Sequence, residues 1–545
     1  MTKDIKLSKN QSEMVTKYIL PKKIVTEKYA ENTAILLNEN PRQALMFGDI
    51  NYSIIHSGGY VVLDMGCEIN GGIDITLERL DEKCGKVHVT FGESVMEALS
   101  KIGEKNATVD HSVRDFSFSS RGAMNMKLGD TGYRFVKIEA ENDICLKTVY
   151  GTFTYRDVDY AGSFECDDKK INKIWSTGAY TVHLNMQDYL WDGIKRDRLV
   201  WIGDMHPEML TICSVFGYNE VVPKSLDLIM SATPLDEWMN NTPTYTSWWI
   251  INQKTWYMQN GDYKYLADRS DYLFRTLEKI IKCISEDGKL TYPMYFCDWS
   301  SKDTPDEIIG AYGVTVLGLK AGAYLCKCLR NEILAEKCIH YAGVLLKKKF
   351  DTAVNKQTAA LYALAGGFDC RNITEKLLLK NGSEGLSTFL GGYVLRVISK
   401  AGYTSEAIKI MKEYWGAMLD LGATTFWEDF DMDWVTERTI GIDQIVPDEM
   451  IDVHGDFGKY CYKHFRHSLC HGWASGPTSF LSQEVSGIKI LEPGCKKMLV
   501  QPKANKFKYM KTVYPTPYGP IEIEQENNAV KVKAPDGVEL VGGVE

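Results

Sequence analysis

Nowhere in the 545 residues is there a run of about 18 consecutive apolar side chains, the length a membrane-spanning helix needs. The first twenty residues, MTKDIKLSKNQSEMVTKYIL, also lack the apolar stretch of an export signal. Paired cysteines are missing as well. Fourteen cysteines are scattered from Cys67 to Cys495 without one CxxC, so they read as buried thiols of a reducing compartment, not as a disulfide framework. A cytoplasmic location is therefore expected, with substrates small enough to be imported. Charge of one sign is scarce too: a net charge of −9 over this length gives no reason to expect nucleic acid or a membrane surface as partner. No fixed-period repeat marks a solenoid. What remains is an ordinary globular composition, 44% hydrophobic and 25% charged, in a chain longer than one hydrophobic core usually supports. Thirty tyrosines and twelve tryptophans exceed what the core alone requires and suit a ligand with apolar faces and hydroxyl edges.

The texture changes twice. Residues 1–161 read as a β-sandwich of jelly-roll type, with short β-branched and aromatic runs at 60–65, 73–77, 86–91 and 133–140. Turn signals, NGG at 70–72 and GDTG at 129–132, separate them. Residues 162–485 read as helices at 168–185, 307–327, 331–348, 356–366, 384–400 and 404–418, which fits a toroid of paired helices. From 486 to 545 short strands return as IKILEP, KKMLVQP, IEIEQ, AVKVKA and VELVGG, a small C-terminal β domain.

One segment fits neither period. WDGIKRDRLVWIGDMHPE, residues 191–208, gathers Asp192, Asp197, Asp204 and Glu208 with Lys195, Arg196, Arg198 and two tryptophans, Trp191 and Trp201. Taken alone it reads as a solvated loop with aromatic anchors. Its pattern from Asp192 to Asp204, however, resembles the signature of glycoside hydrolase family 78, the α-L-rhamnosidases, which runs approximately Asp-Cys-Pro-x-Arg-Glu-Arg-Leu-Gly-Trp-x-Gly-Asp. Asp192, Arg196, Arg198, Leu199, Trp201, Gly203 and Asp204 match in register. VLDMGCEINGGIDI (62–75), TGYRFVKIEA (131–140), GSFECDDKKINKIW (162–175), Asp298-Trp299 and GATTFWEDFD (422–431) look like further motifs of that family, in the right order. The resemblance implies a multidomain protein: an (α/α)6 helical barrel flanked by an N-terminal β-sandwich and a small C-terminal β domain. Two departures stand out. Gly193-Ile194 replaces the usual Cys-Pro, and Asp197 stands where the family has its general-acid Glu.

The implied activity is inverting hydrolysis of terminal α-L-rhamnosides, which needs one carboxyl to protonate the departing oxygen and another to activate water. For inversion the two stand roughly 6.5–9.5 Å apart. Asp197 is the candidate acid and Glu428 the candidate base, with Asp429 an alternative acid. Arg196 and Arg198 would lower the pKa of a neighbouring acid, so the expectation is that Asp192 and Asp204 take up the arginines and leave Asp197 among carboxylates. Asp192, Asp204, Arg196 and Asp298 are candidates to hold sugar hydroxyls. Trp201, Trp248, Trp249, Trp299 and Trp427 are candidates to wall the pocket around the sugar's methyl group. His464, His467 and His471 fall at i, i+3 and i+7, a shared face if helical, with Cys461 and Cys470 nearby. Without an HExxH or a cysteine pair they do not make a metal site, and His471 is instead a candidate for a sugar hydroxyl or Glu428. No metal or cofactor is expected, and the partner expected is a small carbohydrate or glycoside.

Two other readings follow from the same residues. A related (α/α)6 hydrolase for another deoxy or acidic sugar fits if Lys195, Arg196 and Arg198 all face the pocket. A non-catalytic sugar-binding protein on the same scaffold fits if Asp197 and Glu428 lie more than about 12 Å apart.

Overall fold

A computed structural model describes residues 14–45, 51–78, 85–108, 113–120, 122–350, 355–460, 462–503, 507–527 and 529–542. Cys461 lies outside them. The N-terminal domain is a single antiparallel sheet of seven strands: β1 (Met14–Ile19), β2 (Lys23–Glu31), β3 (Ser53–Glu78), β4 (Gly85–Gly92), β5 (Asp115–Ser120), β6 (Met124–Ala140) and β7 (Ile144–Arg156). Their order is β1-β7-β3-β6-β4-β5, with β2 on β3. The runs at 60–65 and 73–77, expected as separate strands around a turn, are two parts of β3. Asn70-Gly71-Gly72 is a bulge, and the register against β6 slips between Gly71 and Ile73. Both flanking strands press on it: a Cβ on Gly71 would stand 1.9 Å from the Thr152 carbonyl oxygen, and one on Gly72 2.0 Å from that of Leu128. Only glycine permits that approach. GDTG is likewise interior to β6.

Because β3 is long and bent, the sheet folds back on itself. Residues 144–146 of β7 pair with Ser53–Ile55, the start of β3, and Leu146 and Cys145 also pair with Leu77 and Glu78, its end. One rolled sheet thus encloses a core that includes Ile55, Leu63, Ile73, Val89, Val136 and Leu146.

β8 (Ser163–Cys166) leads into the helices. Asp168 caps the first long one, its carboxylate accepting from the backbone N–H groups of Lys170 and Ile171. The helices are α1 (Val95–Leu99, in the sheet domain), α2 (Lys169–Asn185), α3 (Met205–Val215), α4 (Val221–Ala232), α5 (Pro243–Asn260), α6 (Tyr263–Ala267), α7 (Ser270–Lys282), α8 (Asp306–Cys328), α9 (Glu332–Leu346), α10 (Lys356–Ala365), α11 (Cys370–Ile373), α12 (Gly391–Lys400), α13 (Thr404–Asp420) and α14 (Gly476–Ser479). α3 packs on α5, α5 on α8, α8 on α10, α10 on α12, α12 on α14 and α14 on α3, so these contacts close a ring; α2, α7, α9, α11 and α13 each pack against members of it. α8 is long and apolar enough to cross a membrane, yet 78% of its apolar window is buried in this ring. The helix expected from 384 starts only at Gly391. Gly382 and Gly385 are left-handed, with φ of +56° and +71°, and keep the preceding turns irregular.

A parallel pair, β9 (Thr439–Ile440) and β10 (Ile451–Asp452), braces a long loop. The C-terminal strands are β11 (Ile488–Ile490), β12 (Lys497–Val500), β13 (Tyr509–Thr516), β14 (Gly519–Glu526), β15 (Ala529–Lys533) and β16 (Glu539–Val541). They form two sheets, β11-β12-β16 and β15-β14-β13-β8. β13 was not among the expected strands. Its pairing draws β8, which the sequence assigned to the helical domain, into the C-terminal sheet. The twelve cysteines among the described residues are free thiols, as the missing pairs suggested.

Arg134 fastens the sheet domain to the ring. Its Nε and Nη2 donate to Asp64 at 2.8 and 2.9 Å, and its Nη1 to the Gly422 carbonyl in the helical domain at 2.9 Å. Both side chains of this ion pair are buried. Arg134→Met leaves buried Asp64 with the half-exposed Lys23 at 3.7 Å and the Gly66 N–H at 2.7 Å as its remaining partners. It is expected to cost about 3–5 kcal/mol, read as a lower denaturant midpoint for the sheet domain; an unchanged midpoint would refute this account of the docking.

Candidate active site

The 191–204 segment leaves α2 as a loop closed by a reciprocal pair: Asp192 N–H donates to the Leu199 carbonyl, and Leu199 N–H to Asp192 Oδ1 (2.8 Å). At its tip Asp197 and Arg198 are both left-handed, with φ of +58° and +54°. This turn sends neighbouring side chains in opposite directions. Arg196 and Asp197 face a cavity, while Lys195 and Arg198 face the sheet domain. Arg198 donates to Asp130 and Asn70 and stacks 4.9 Å over Trp191; Lys195 reaches Glu93 and Glu97. The three bases therefore do not converge on a ligand.

The arginine pairing differs from expectation in the same way. Asp192 and Asp204 do not take up the arginines. Arg196 instead donates through Nη1 to Asp197 (3.1 Å) and through Nη2 to both oxygens of Glu428, while its Nε donates to the Arg466 carbonyl. One rigid guanidinium bonded to both carboxylates keeps their facing oxygens within about 8 Å of each other.

The cavity measures about 320 Å³ and is lined by Asp192, Arg196, Asp197, Trp201, Asp204, Trp299, Glu428 and His471 among others. This brings together eight residues singled out from sequence. Tyr245, Met294, Phe296 and Trp473 also line it, with Asn240, Thr242, Lys302 and Arg466 beside them. The first three sit in segments with no charge pattern to mark them; Trp473, in the stretch HGW, carried the best missed signal. The Tyr245 hydroxyl donates to Asp204 Oδ1 at 2.9 Å. His471 Nε2 stands 3.6 Å from Asp192, 3.6 Å from Glu428 and 3.9 Å from Asp204.

Five expected residues sit elsewhere. Trp249 is fully buried, its Nε1–H on the Leu226 carbonyl and its edge against Tyr272, and it is core. Trp427 is also core, packed on Phe430 and His467. Trp427 points away because Glu428, next in the chain, takes the cavity-facing position. Asp298 lines an adjoining chamber of about 200 Å³ that shares Trp299, Glu428 and Trp473 with the main cavity, and it accepts from Ser387 (2.6 Å) and Ser300 (3.2 Å). Asp429, the alternative acid, also lines that chamber. Trp248 stacks on His206 in a separate cavity of about 490 Å³. The three histidines share no helix face. The segment is irregular: His464 bonds the Gly455 carbonyl, His467 accepts from Asp429 N–H, and only His471 reaches the site.

Electrostatics sort the carboxyls. Burial pulls Glu428 up, but Arg196, then His471 and His467, outweigh it and hold its carboxyl below the usual value. Burial pushes Asp204 up to about 8 despite the His471 charge, so it is protonated at neutral pH. Burial lowers His471, but Glu428, Asp192 and Asp204 together raise it above the ordinary imidazole value. The hinge that delivers this histidine needs glycine at 472: a Cβ there would stand 1.6 Å from Glu208 Oε1, while Gly472 N–H donates to the Asp192 carbonyl at 2.8 Å.

Residues 159–351 match the family model of the bacterial alpha-L-rhamnosidase six-hairpin glycosidase domain, and residues 487–540 that of the bacterial alpha-L-rhamnosidase C-terminal domain. Both matched stretches are thus similar to domains of bacterial alpha-L-rhamnosidases. Among solved structures, the family 78 rhamnosidase of Bacillus sp. GL1 aligns with a TM-score of 0.73 at 19% identity, over 93% of this chain and 55% of that one. The Klebsiella oxytoca rhamnosidase with rhamnose bound aligns at 0.70 and 17% identity, over 87% and 96%. The Streptomyces avermitilis α-L-rhamnosidase complexed with L-rhamnose aligns at 0.69 and 14%, over 88% and 48%. The chain thus spans about half the length of the Bacillus relative and nearly all of the Klebsiella one. No curated protein sequence matches it.

Arg196 is the largest influence holding Glu428 down, so Arg196→Met is expected to release it. A carbon-13 NMR titration of the Glu428 carboxyl should give a midpoint below 4.5 in the wild type and above 4.5 in the variant. Equal midpoints would remove Arg196 from the electrostatics of the site.

Proposed function

We propose that this chain is a family 78 enzyme, an inverting α-L-rhamnosidase that releases terminal α-L-rhamnosyl residues from small glycosides or oligosaccharides. The observation that carries the reading is Arg196 fixing Asp197 and Glu428 across a cavity that also presents Asp192, Asp204 and His471. We read the closed ring as an (α/α)6 toroid and the rolled sheet as the jelly-roll β-sandwich of this family. The rhamnose in the Klebsiella and Streptomyces structures supports a sugar of that class as the occupant. Asp192, Asp204 and His471 would hold its hydroxyls, and Trp201, Trp299 and Phe296 would enclose its methyl group.

In this mechanism Asp197 gives its proton to the glycosidic oxygen as that oxygen leaves C1. Glu428, ionised because Arg196 holds it so, takes a proton from the water whose oxygen bonds to C1 from the opposite face. With aryl α-L-rhamnopyranoside the first sugar product, observed by proton NMR before mutarotation, is expected to be β-L-rhamnose. Asp197→Asn and Glu428→Gln should each lower turnover at least about a hundredfold. Formation of the α anomer would overturn inversion, and near-normal turnover in either variant would remove that residue.

One observation favours a second assignment of the acid. Asp197 spends an oxygen on Arg196, whereas Asp204 is the cavity carboxyl that burial pushes up to about 8. Leaving groups that depart without protonation separate the two. The variant lacking the acid should keep most activity on a dinitrophenyl rhamnoside and lose it on an alkyl one. If that variant is Asp204→Asn and not Asp197→Asn, Asp204 is the donor. In that case wild-type activity also falls above about pH 8, as Asp204 gives up its proton. Under either assignment activity should persist below pH 4.5, because the base works ionised and its carboxyl titrates below that value.

A further inference from the structure

Three buried groups of the sheet domain, Glu93, Glu97 and His454 of the loop against it, bring their ligand atoms within 4.8 Å of one another, as a cation site would. The cation is already in place and belongs to the chain. Lys195 Nζ lies 3.2 Å from Glu93 and 2.8 Å from Glu97, with all three side chains almost wholly buried. His454 completes the cluster as a neutral acceptor or donor between Ser94 Oγ (2.8 Å) and the His467 carbonyl (2.9 Å), its charge suppressed by burial and then by Lys195.

What this cluster grips is the backbone of residues 465–469. Lys195 donates to the carbonyls of Phe465 (2.6 Å) and His467 (3.0 Å), and Arg196 Nε to that of Arg466 (2.9 Å). Glu93 accepts from Leu469 N–H at 2.7 Å and from Ser468 Oγ at 3.3 Å. The same Ser468 exchanges backbone bonds with the catalytic loop: its N–H donates to Glu428 Oε2 at 3.2 Å, and its carbonyl accepts from Glu428 N–H at 3.0 Å. The chain of contact from the sheet domain to Glu428 is therefore two hydrogen bonds long.

We propose that Glu93 is a positioning residue for Glu428: by fixing the Ser468–Leu469 backbone it aims the base, so that docking of the sheet domain completes the active site. Glu93 touches neither the cavity nor a substrate, and it acts through the 468–469 peptide. This inference rests on Glu428 being the base of the proposed reaction. Glu97 has a supporting part, since its Oε2 accepts from Glu93 N–H at 2.8 Å and its backbone carbonyl accepts from Arg114.

The test compares Glu93→Gln and Glu93→Ala with Asp74→Asn. Asp74 is an equally buried carboxylate of the same domain, bonded to Arg42 and Asn125 and remote from residue 428. Glu93→Ala is expected to lower kcat on aryl α-L-rhamnoside about tenfold or more with KM within about twofold, the scale of a lost supporting contact. Its acid limb should move to higher pH as the Ser468 N–H bond to Glu428 loosens. Glu93→Gln, which keeps an oxygen for Leu469 N–H, should recover part of kcat. Asp74→Asn should lower the melting temperature with kcat unchanged. Wild-type kcat and pH profile in folded Glu93→Gln and Glu93→Ala would overturn the proposal, as would an equal kcat loss in Asp74→Asn. If Glu93→Ala does not fold, Glu93→Gln decides through its pH profile. If the wild type hydrolyses no rhamnoside, the carbon-13 titration of Glu428 decides instead: an upward midpoint in Glu93→Gln sustains the positioning role while the rhamnosidase reading fails, and an unmoved one overturns it.

Discussion

A guanidinium shut between two carboxylates is stable only if its remaining donors are also met, and the arrangement around Arg196 is organised by that demand. Its Nε is taken by the Arg466 carbonyl, Nη1 by Asp197 and Nη2 by Glu428, with the side chain 4% exposed. Removing such a charge from water is costly, and the return comes only from geometry this complete. The loop carrying residue 466 must therefore lie where it does, and so must the loop carrying Glu428. Arg196 and His471, with Lys302 and Arg466 also on the wall, then face Asp192, Asp197, Asp204 and Glu428. Buried carboxyls this close cannot all be ionised cheaply: burial leaves Asp204 holding a proton, while Glu428, in direct contact with Arg196, gives its proton up.

The same turn divides the segment's labour. Residues 195 and 198 point to the sheet domain, and residues 196 and 197 to the cavity. A charged loop with aromatic anchors and one wall of a ligand pocket are both correct descriptions of this stretch, for different side chains. The sheet domain is consequently more than a neighbour. It supplies Glu93 and Glu97 for Lys195, Asp130 and Asn70 for Arg198, and the Arg134 contact to Gly422 in the turn that leads to Glu428.

Legibility in the sequence followed physical range. Helices with strong periodicity and local caps, such as the one begun by Asp168, could be read within a residue or two because their determinants lie inside one turn. The Asn70-Gly71-Gly72 bulge could not: a glycine pair looks the same in a turn and in a bulge, and the choice was made by Thr152 and Leu128, far away in the chain. β8 was assigned to the helical domain for the same reason, since its partner strand is more than three hundred residues distant. At the site, residues of the Asp192–Asp204 motif, Glu428 and His471 were recognisable as chemistry-bearing types. Tyr245, Met294 and Phe296 were not, because an aromatic or apolar residue in a helix or loop gives no sign of whether it faces a core or a cavity. Trp249 and Trp427 failed in the opposite direction, large rings that the core used.

The shorter acid at position 197 suits its backbone. Where the family pattern has Glu, this chain has Asp, in the first of two successive left-handed residues. That conformation crowds Cβ against the following carbonyl and costs an ordinary residue about 1–2 kcal/mol. Asp and Asn are the non-glycine residues that populate it most readily, because a short polar side chain finds local hydrogen bonds there. Glu has no such advantage. The exchange therefore trades one methylene of reach for a turn that forms with less strain. The turn in turn decides where the carboxyl lies: it places Asp197 within one guanidinium of Glu428, with only the rim of its side chain, 19%, exposed. A carboxyl displaced by a shorter side chain can still serve if the loop beneath it moves by a comparable amount. Here the loop is pinned on both flanks, by Lys195 and Arg198 against the sheet domain, so its position is set from outside the cavity. Whether an Asp can act at this position is thus decided less by the acid itself than by the domain interface behind it.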